Sequence, residues 1–166
     1  MTETEYAALG LQAPPARKDP PGAPRDVASL IERAAKMNPD SEALNDGTSS
    51  YTFRTLAHAV TAATALLDAA GVRMGDRVAA SLGNESNLVI AFFAAMRLGA
   101  IWVGINKILP LDDKKFILDH SGAKLLITDT SLKPQIDTVP TLGAVWYLDA
   151  ADLDGGWASA MANPST

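Results

Sequence analysis

The chain has 166 residues, 48% of them hydrophobic, and no cysteine. That is enough to bury one ordinary core without staples, and it excludes a disulfide framework, thiolate metal sites and a cysteine nucleophile. Nineteen acidic against fourteen basic residues give a net charge of −5, and the Lys and Arg are scattered rather than clustered, which disfavours nucleic-acid binding.

The longest apolar run, Leu88 to Met96, is far short of the ~20 residues that span a bilayer. Glu3 and Glu5 come where a secretory signal would carry basic residues before an apolar stretch, so the sequence reads as a cytoplasmic protein without a membrane span. Residues 1–25 hold Pro14, Pro15, Pro20, Pro21 and Pro24 with few large apolar side chains, and predict an extended lead-in. Asp26 has the chemistry of an N-cap. Val27, Leu30, Ile31 and Ala34 follow on one helical face, and Asn38-Pro39 ends the helix.

Glu42–Asn45 and Ser49–Tyr51 flank Asp46-Gly47, a dipeptide favoured in tight hairpin turns, and read as a small antiparallel pair. Thr52 then caps a helix whose apolar stripe is Leu56, Val60, Ala63, Leu67 and Ala70, with Gly71 at its C-terminal cap. Arg77 to Leu82 is a strand. Asn84 to Leu98 is a helix apolar on nearly all sides (Leu88, Val89, Phe92, Phe93, Met96), closed by Gly99 and expected to be largely buried. Ala100 to Ile105 is a strand, Leu111 to His120 a helix with Gly122 just beyond it, and Lys124 to Thr128 another strand. Val145 to Leu148 is the last apolar run. Such alternation implies an α/β fold, a mostly parallel sheet flanked by helices, with the small hairpin beside it. The reading divides the chain into the lead-in, an α/β subdomain over 26–150, and a loop-like end over 151–166 that continues into a missing region.

Four segments carry a family resemblance. They are Ser50-Tyr51-Thr52-Phe53-Arg54-Thr55-Leu56; Gly71-Val72 through Gly75-Asp76-Arg77-Val78-Ala79; Asn84 with Met96-Arg97-Leu98-Gly99-Ala100-Ile101-Trp102-Val103; and Asn106 through Leu109-Pro110 to Ile117-Leu118-Asp119-His120-Ser121-Gly122-Ala123-Lys124. The first resembles a Thr-Tyr pair followed by Glu-Leu, and the second the turn G-V-x-x-G-D-R-V-A. The third resembles L-K-x-G-A-x-Y-V-P, and the fourth N-P-x-x-P-x-E-E-L-x-x-I-L-x-D-S-G-A-K. In this order and spacing they resemble the N-terminal part of the adenylate-forming (AMP-binding) acyl-CoA synthetase superfamily. The chain departs from the pattern at several points. Thr55 stands where Glu would complete a capping box, which is expected to forfeit one reciprocal hydrogen bond. Gly104 and Lys107 stand where proline is usual. Leu109 occupies the expected cap of the next helix, which must then rely on Asp112 and Asp113 against the dipole.

The resemblance implies a parent enzyme that activates a carboxylate substrate with ATP and Mg2+ as an acyl-adenylate and passes the acyl group to a thiol, usually CoA. The Ser/Thr/Gly-rich phosphate loop with its Lys, S-G-T-T-G-x-P-K-G, occurs nowhere in the chain, and Gly155-Gly156 lacks the flanking hydroxyls. The expectation is therefore an N-terminal ligase fragment, inactive alone, with no catalytic residue, no metal ligand and no cofactor bound by itself. By position in the family, Asn106, Lys107 and Ile108 would line a CoA channel, Lys107 facing a CoA phosphate. The plainer reading of the same residues is a surface loop with a solvated lysine.

His58 reads as a solvated face residue, and His120 as a helix C-terminal residue that suits the dipole. Asp112-Asp113 and Asp152 with Asp154 read as first-turn and loop carboxylates, and Trp102 and Trp146 as core. Two rivals stand beside the ligase fragment. One is a stand-alone remnant acting as a non-catalytic small-molecule or protein-interaction module. The other is a generic doubly wound nucleotide-binding domain, disfavoured because Gly-x-Gly-x-x-Gly is missing. A fragment should also expose an apolar face and form a homo-oligomer through it.

Overall fold

A computed structural model describes residues 3–12, 26–136, 139, 142–150 and 154–162. The lead-in carries a short helix, α1 (Glu3–Ala8), where extended chain was expected; its five prolines lie outside the described residues. Asp26 Oδ1 accepts the Ser29 amide at 2.8 Å and so closes the turn that starts α2 (Ser29–Met37). Ile31 faces the core, whereas Val27 and Leu30, expected beside it, stay 40% and 43% exposed.

The hairpin pairs β1 (Glu42–Asn45) with β2 (Ser50–Thr52), Asn45 opposite Ser50, around the Asp46-Gly47 turn. Helix α3 (Phe53–Ala69) follows directly. Leu56, Val60, Ala63 and Leu67 are buried along the expected stripe; Ala59 joins them, and Ala70 lies exposed beyond the helix end. The capping box expected to be incomplete is closed. Thr52 Oγ1 accepts the Thr55 amide at 3.2 Å, and Thr55 Oγ1 accepts the Thr52 amide at 2.9 Å. A threonine hydroxyl thus does what the motif's glutamate does, because the reach across one turn is short.

Strands β3 (Arg77–Ser81), β4 (Ile101–Gly104), β5 (Leu125–Thr128) and β6 (Ala144–Tyr147) form one parallel sheet in the order β4-β3-β5-β6. Helix α4 (Ser86–Arg97) crosses from β3 to β4 and α5 (Leu111–Ser121) from β4 to β5. A 3-10 turn (Thr130–Leu132) and α6 (Lys133–Ile136) lead from β5 towards β6. Side chains alternate across the sheet. Val78, Ala80, Leu125 and Ile127 pack into one cluster with α3 and α4, while Ala79 and Leu126 pack into a second with Leu118 and Ile136. Both faces are covered, which is why the central strands read as unbroken apolar runs.

The residues α4 buries completely are Ile90, Ala91, Ala94 and Ala95. Its phenylalanines, expected inside, are half-buried. Small side chains bring the helix close to its neighbours, and Phe92 turns its edge to Trp102 at 5.7 Å and 85°. Trp102, on the edge strand β4, is only half-buried, whereas Trp146, on the opposite edge strand β6, is 8% exposed because the Gly155 segment lies against its ring. The N-cap position of α5 is Pro110, one residue later than expected, and no side chain caps it.

The expected loop-like end holds a docked helix, α7 (Trp157–Ala162). Buried Asp154 caps its start, Oδ1 accepting the Gly156 amide and Oδ2 the Ala158 amide at 2.8 and 2.7 Å. Trp157 is 2% exposed in the core beside α3, and its indole N–H donates to Asn87 Oδ1 at 2.9 Å. Gly155 has φ +65°, and a Cβ there would lie 2.3 Å from the Trp146 ring, so both backbone and space demand glycine.

Candidate functional site

The strand order reverses between β3 and β5: the chain leaves β3 for β4 on one side and returns past it to β5 on the other. In open α/β sheets, ligands gather at the carboxyl ends of strands beside such a reversal. The two strands are tied there by buried Thr128, whose hydroxyl donates to the Ser81 carbonyl at 2.9 Å. The loop after β4 carries Asn106, Lys107 and Ile108, and Asp129 and Asp149 follow β5 and β6 closely.

Asn106 Oδ1 accepts the Ile108 amide at 3.1 Å and turns the loop. Ile108 is 86% exposed. Lys107 is not a free cation, because its Nζ lies 2.5 Å from Asp129 Oδ2. The hydrogen bond to Asp129 raises the Lys107 pKa above its usual value, with burial opposing and Glu85 and Asp149 adding to the effect. Burial pushes the Asp129 carboxyl up, but hydrogen bonds from Lys107 and Ser131 outweigh it and hold the group below the usual range. Asp149 accepts the Thr130 amide at 2.8 Å and the Thr130 hydroxyl at 2.6 Å, and these bonds lower its pKa.

One participant escaped the sequence reading. Lys114, on the first turn of α5, is 4% exposed, and its Nζ donates to the Lys107 carbonyl at 2.6 Å. The signal was available: Lys114 lies four residues before buried Leu118, so it sits on the buried face of α5.

The other candidates fall elsewhere. His58 is half-buried on α3 rather than solvated, and His120 stacks on Phe116 at 5.4 Å at the end of α5. Asp112 and Asp113 are exposed in the first turn of α5, Asp154 is the buried cap of α7, and Asp152 lies outside the described residues. Asp46, in the hairpin turn, caps α4: hydrogen bonds from Ser86, Ser49 and Thr48 hold its carboxyl well below the usual range. Among the described residues, no group of three or more His, Asp or Glu is arranged to hold a metal ion, and no helix is long and apolar enough to cross a membrane.

A family model described as AMP-binding enzyme matches residues 31–164. The chain belongs to that family. Among curated relatives of this AMP-binding chain, enterobactin synthase component F of Escherichia coli (strain K12) is 31% identical over 121 residues, covering 73% of this chain and 9% of that protein. The 2-succinylbenzoate–CoA ligase of Bacillus licheniformis is 32% identical over 112 residues, covering 68% of this chain and 23% of that one. The crystal structure of the anthranilate CoA ligase AuaEII with anthranoyl-AMP matches with a TM-score of 0.71 and 26% identity, over 78% of this chain and 26% of that chain. The inhibitor-bound N-terminal domain of FACL13 from Mycobacterium tuberculosis matches with a TM-score of 0.71 and 26% identity, over 82% and 35%. The AMP-binding chain therefore spans less than a quarter of the length of either curated relative. The resemblance read from the four segments is borne out, as is the parallel α/β fold with its small hairpin.

Proposed function

We propose that this chain is the N-terminal α/β subdomain of an ATP-dependent, adenylate-forming carboxylate ligase, and that it serves there as scaffold. The observation that carries this is the family match over 31–164, coincident with a sheet that superposes on an anthranilate CoA ligase at a TM-score of 0.71. When bound in the parent enzyme, ATP and Mg2+ supply activation of the carboxylate. The residues present here do not fit those groups: there is no Ser/Thr/Gly-rich loop with its Lys, so no step of adenylation is assigned to this chain. The named relatives include two CoA ligases and a synthase component, which favours this reading over a stand-alone interaction module.

CoA is the acceptor in the leading version, and the cytoplasm, which supplies ATP and CoA, is its compartment. The loop Asn106–Ile108 would then meet the CoA chain through its main chain and the exposed Ile108, since the Lys107 ammonium is engaged by Asp129. Ile108→Asp in the full-length enzyme separates the versions. Slower thioester formation with normal adenylate formation supports a CoA-facing loop, and an unchanged thioester step removes it. Self-association through an exposed apolar face is part of the proposal; large apolar residues lie exposed on α2 (Leu30, Met37), β4 (Ile101) and α5 (Phe116). A concentration-independent monomer in sedimentation would contradict it. The ligase reading itself is tested by carboxylate-dependent ATP–pyrophosphate exchange on the full open reading frame.

A further inference from the structure

A lysine 4% exposed at the carboxyl edge of a sheet needs a physical reason. Lysine is among the residues least often buried, because removing an ammonium from water is costly unless strong acceptors replace it. Lys114 Nζ has such an acceptor in the Lys107 carbonyl at 2.6 Å. Asp129 attracts the ammonium, and Lys107 repels it. The Lys107 side chain in turn reaches away to Asp129. One residue is thus held twice, by its main chain from α5 and by its side chain from the end of β5.

The two lysines are also linked through the motif pattern. Counted from Asn106, N-P-x-x-P-x-E-E-L places proline where Lys107 stands and leucine where Lys114 stands. Both departures fall on the two residues that touch. A stiff, apolar way of setting this loop is replaced in this chain by a polar one.

We propose that Lys114 is a positioning residue for the loop between β4 and α5, its buried ammonium bracing the Lys107 carbonyl so that Lys107 stays paired with Asp129. Asn106 and Ile108 are carried by the same braced segment. What the loop is positioned for rests on the ligase reading; the brace itself does not. Burial lowers the Lys114 pKa, opposed by Asp129 and reinforced by Lys107. The folded chain therefore binds that proton less tightly than the unfolded one, so the charged lysine weakens global stability below its folded pKa, and the penalty fades as pH rises through it. A side chain that braces a loop while burdening the fold gives a signature that simple packing does not.

The test uses the 166-residue chain with Lys114→Met and Lys114→Leu, the latter restoring the motif's residue. At neutral pH the urea midpoint is expected to hold or rise. Amide exchange at Ile108 and Leu109, both bonded back to Asn106, is expected to quicken about tenfold, as for loss of one hydrogen bond to a charged group. Exchange in β3 and β5 should not change. Unchanged exchange at Ile108 and Leu109, or one uniform factor across all amides, would overturn the proposal. Should neither variant fold, carbonyl and side-chain 13C titrations of the unmodified chain decide it. The Lys107 carbonyl shift should follow the Lys114 Cε titration, and a Lys107 carbonyl that ignores it refutes the brace. Because both readouts need no catalysis, failure of the brace and failure of the ligase reading are distinguishable.

Discussion

The two ends of the parallel sheet are held by different chemistry. At its amino edge, cations are wired to backbone. Arg77 donates to the carbonyls of Ser121, Gly122 and Gly75 at 2.9, 3.0 and 3.0 Å. Lys124 donates to the Gly71 carbonyl at 2.6 Å and to Asp76 at 2.8 Å, and Asp76 also accepts the Arg73 amide. At the carboxyl edge the ties run mostly between side chains of successive loops: Lys107 to Asp129, Thr130 to Asp149, and Lys114 to the Lys107 carbonyl. Carbonyls at helix ends must be satisfied in any version of the fold. Side-chain pairs between loops can be exchanged without disturbing the ladder. On this contrast, the amino-edge ties bear more on the fold than the carboxyl-edge ones do.

The largest expected effect is at the amino edge. Arg77→Met removes three charge-assisted bonds to carbonyls and should lower the unfolding free energy by about 3 kcal/mol in urea titration. Gly122→Ala attacks the same junction more gently. Its φ is +60°, and a Cβ there would meet Arg77 Nη2 at 3.2 Å, so a loss of about 1–2 kcal/mol is expected. At the carboxyl edge, Asp129→Asn should cost only about 0.5–1 kcal/mol, because Lys107 is 47% exposed and its pair is screened. Equal losses at the two edges would erase the distinction drawn here.

The smallest effect is in pH. Asp76, Asp129 and Asp149 titrate below their ordinary 3.8 in the folded chain, so they contribute stability that is present above that value and lost as pH falls through the lowered ones. In Asp129→Asn the Asp129 part of that acid loss disappears, and the Asp149 part remains. Urea midpoints of the two chains should therefore converge below pH 4; a constant gap would mean that the Asp129 charge adds nothing.

The same contrast explains what was legible in the sequence. Gly75-Asp76-Arg77 and Ser121-Gly122-Ala123-Lys124 are amino-edge junctions, and they are among the residues that made the family recognisable. Strand and helix positions from Arg77 to Thr128 followed from apolar runs punctuated by glycine, and the structure keeps them within a residue or two. What was missed depends on distant partners. Helix α7 is six residues of mostly small side chains, too short to hold alone. It exists because Trp157 enters the core and Asp154 caps it. Trp102 read as core because periodicity does not say which edge strand is covered: the Gly155 segment lies against Trp146 on β6, while Trp102 on β4 stays half-buried. Lys114 read as one charge among several in Asp112-Asp113-Lys114-Lys115, and only its burial sets it apart.

The most direct test of the scaffold account is ATP–pyrophosphate exchange across a carboxylate panel, run on the 166-residue chain beside the product of the full open reading frame. The account expects exchange that depends on one class of carboxylate from the full product and none from this chain. Exchange by this chain alone, or none from the full product with any carboxylate, would contradict it.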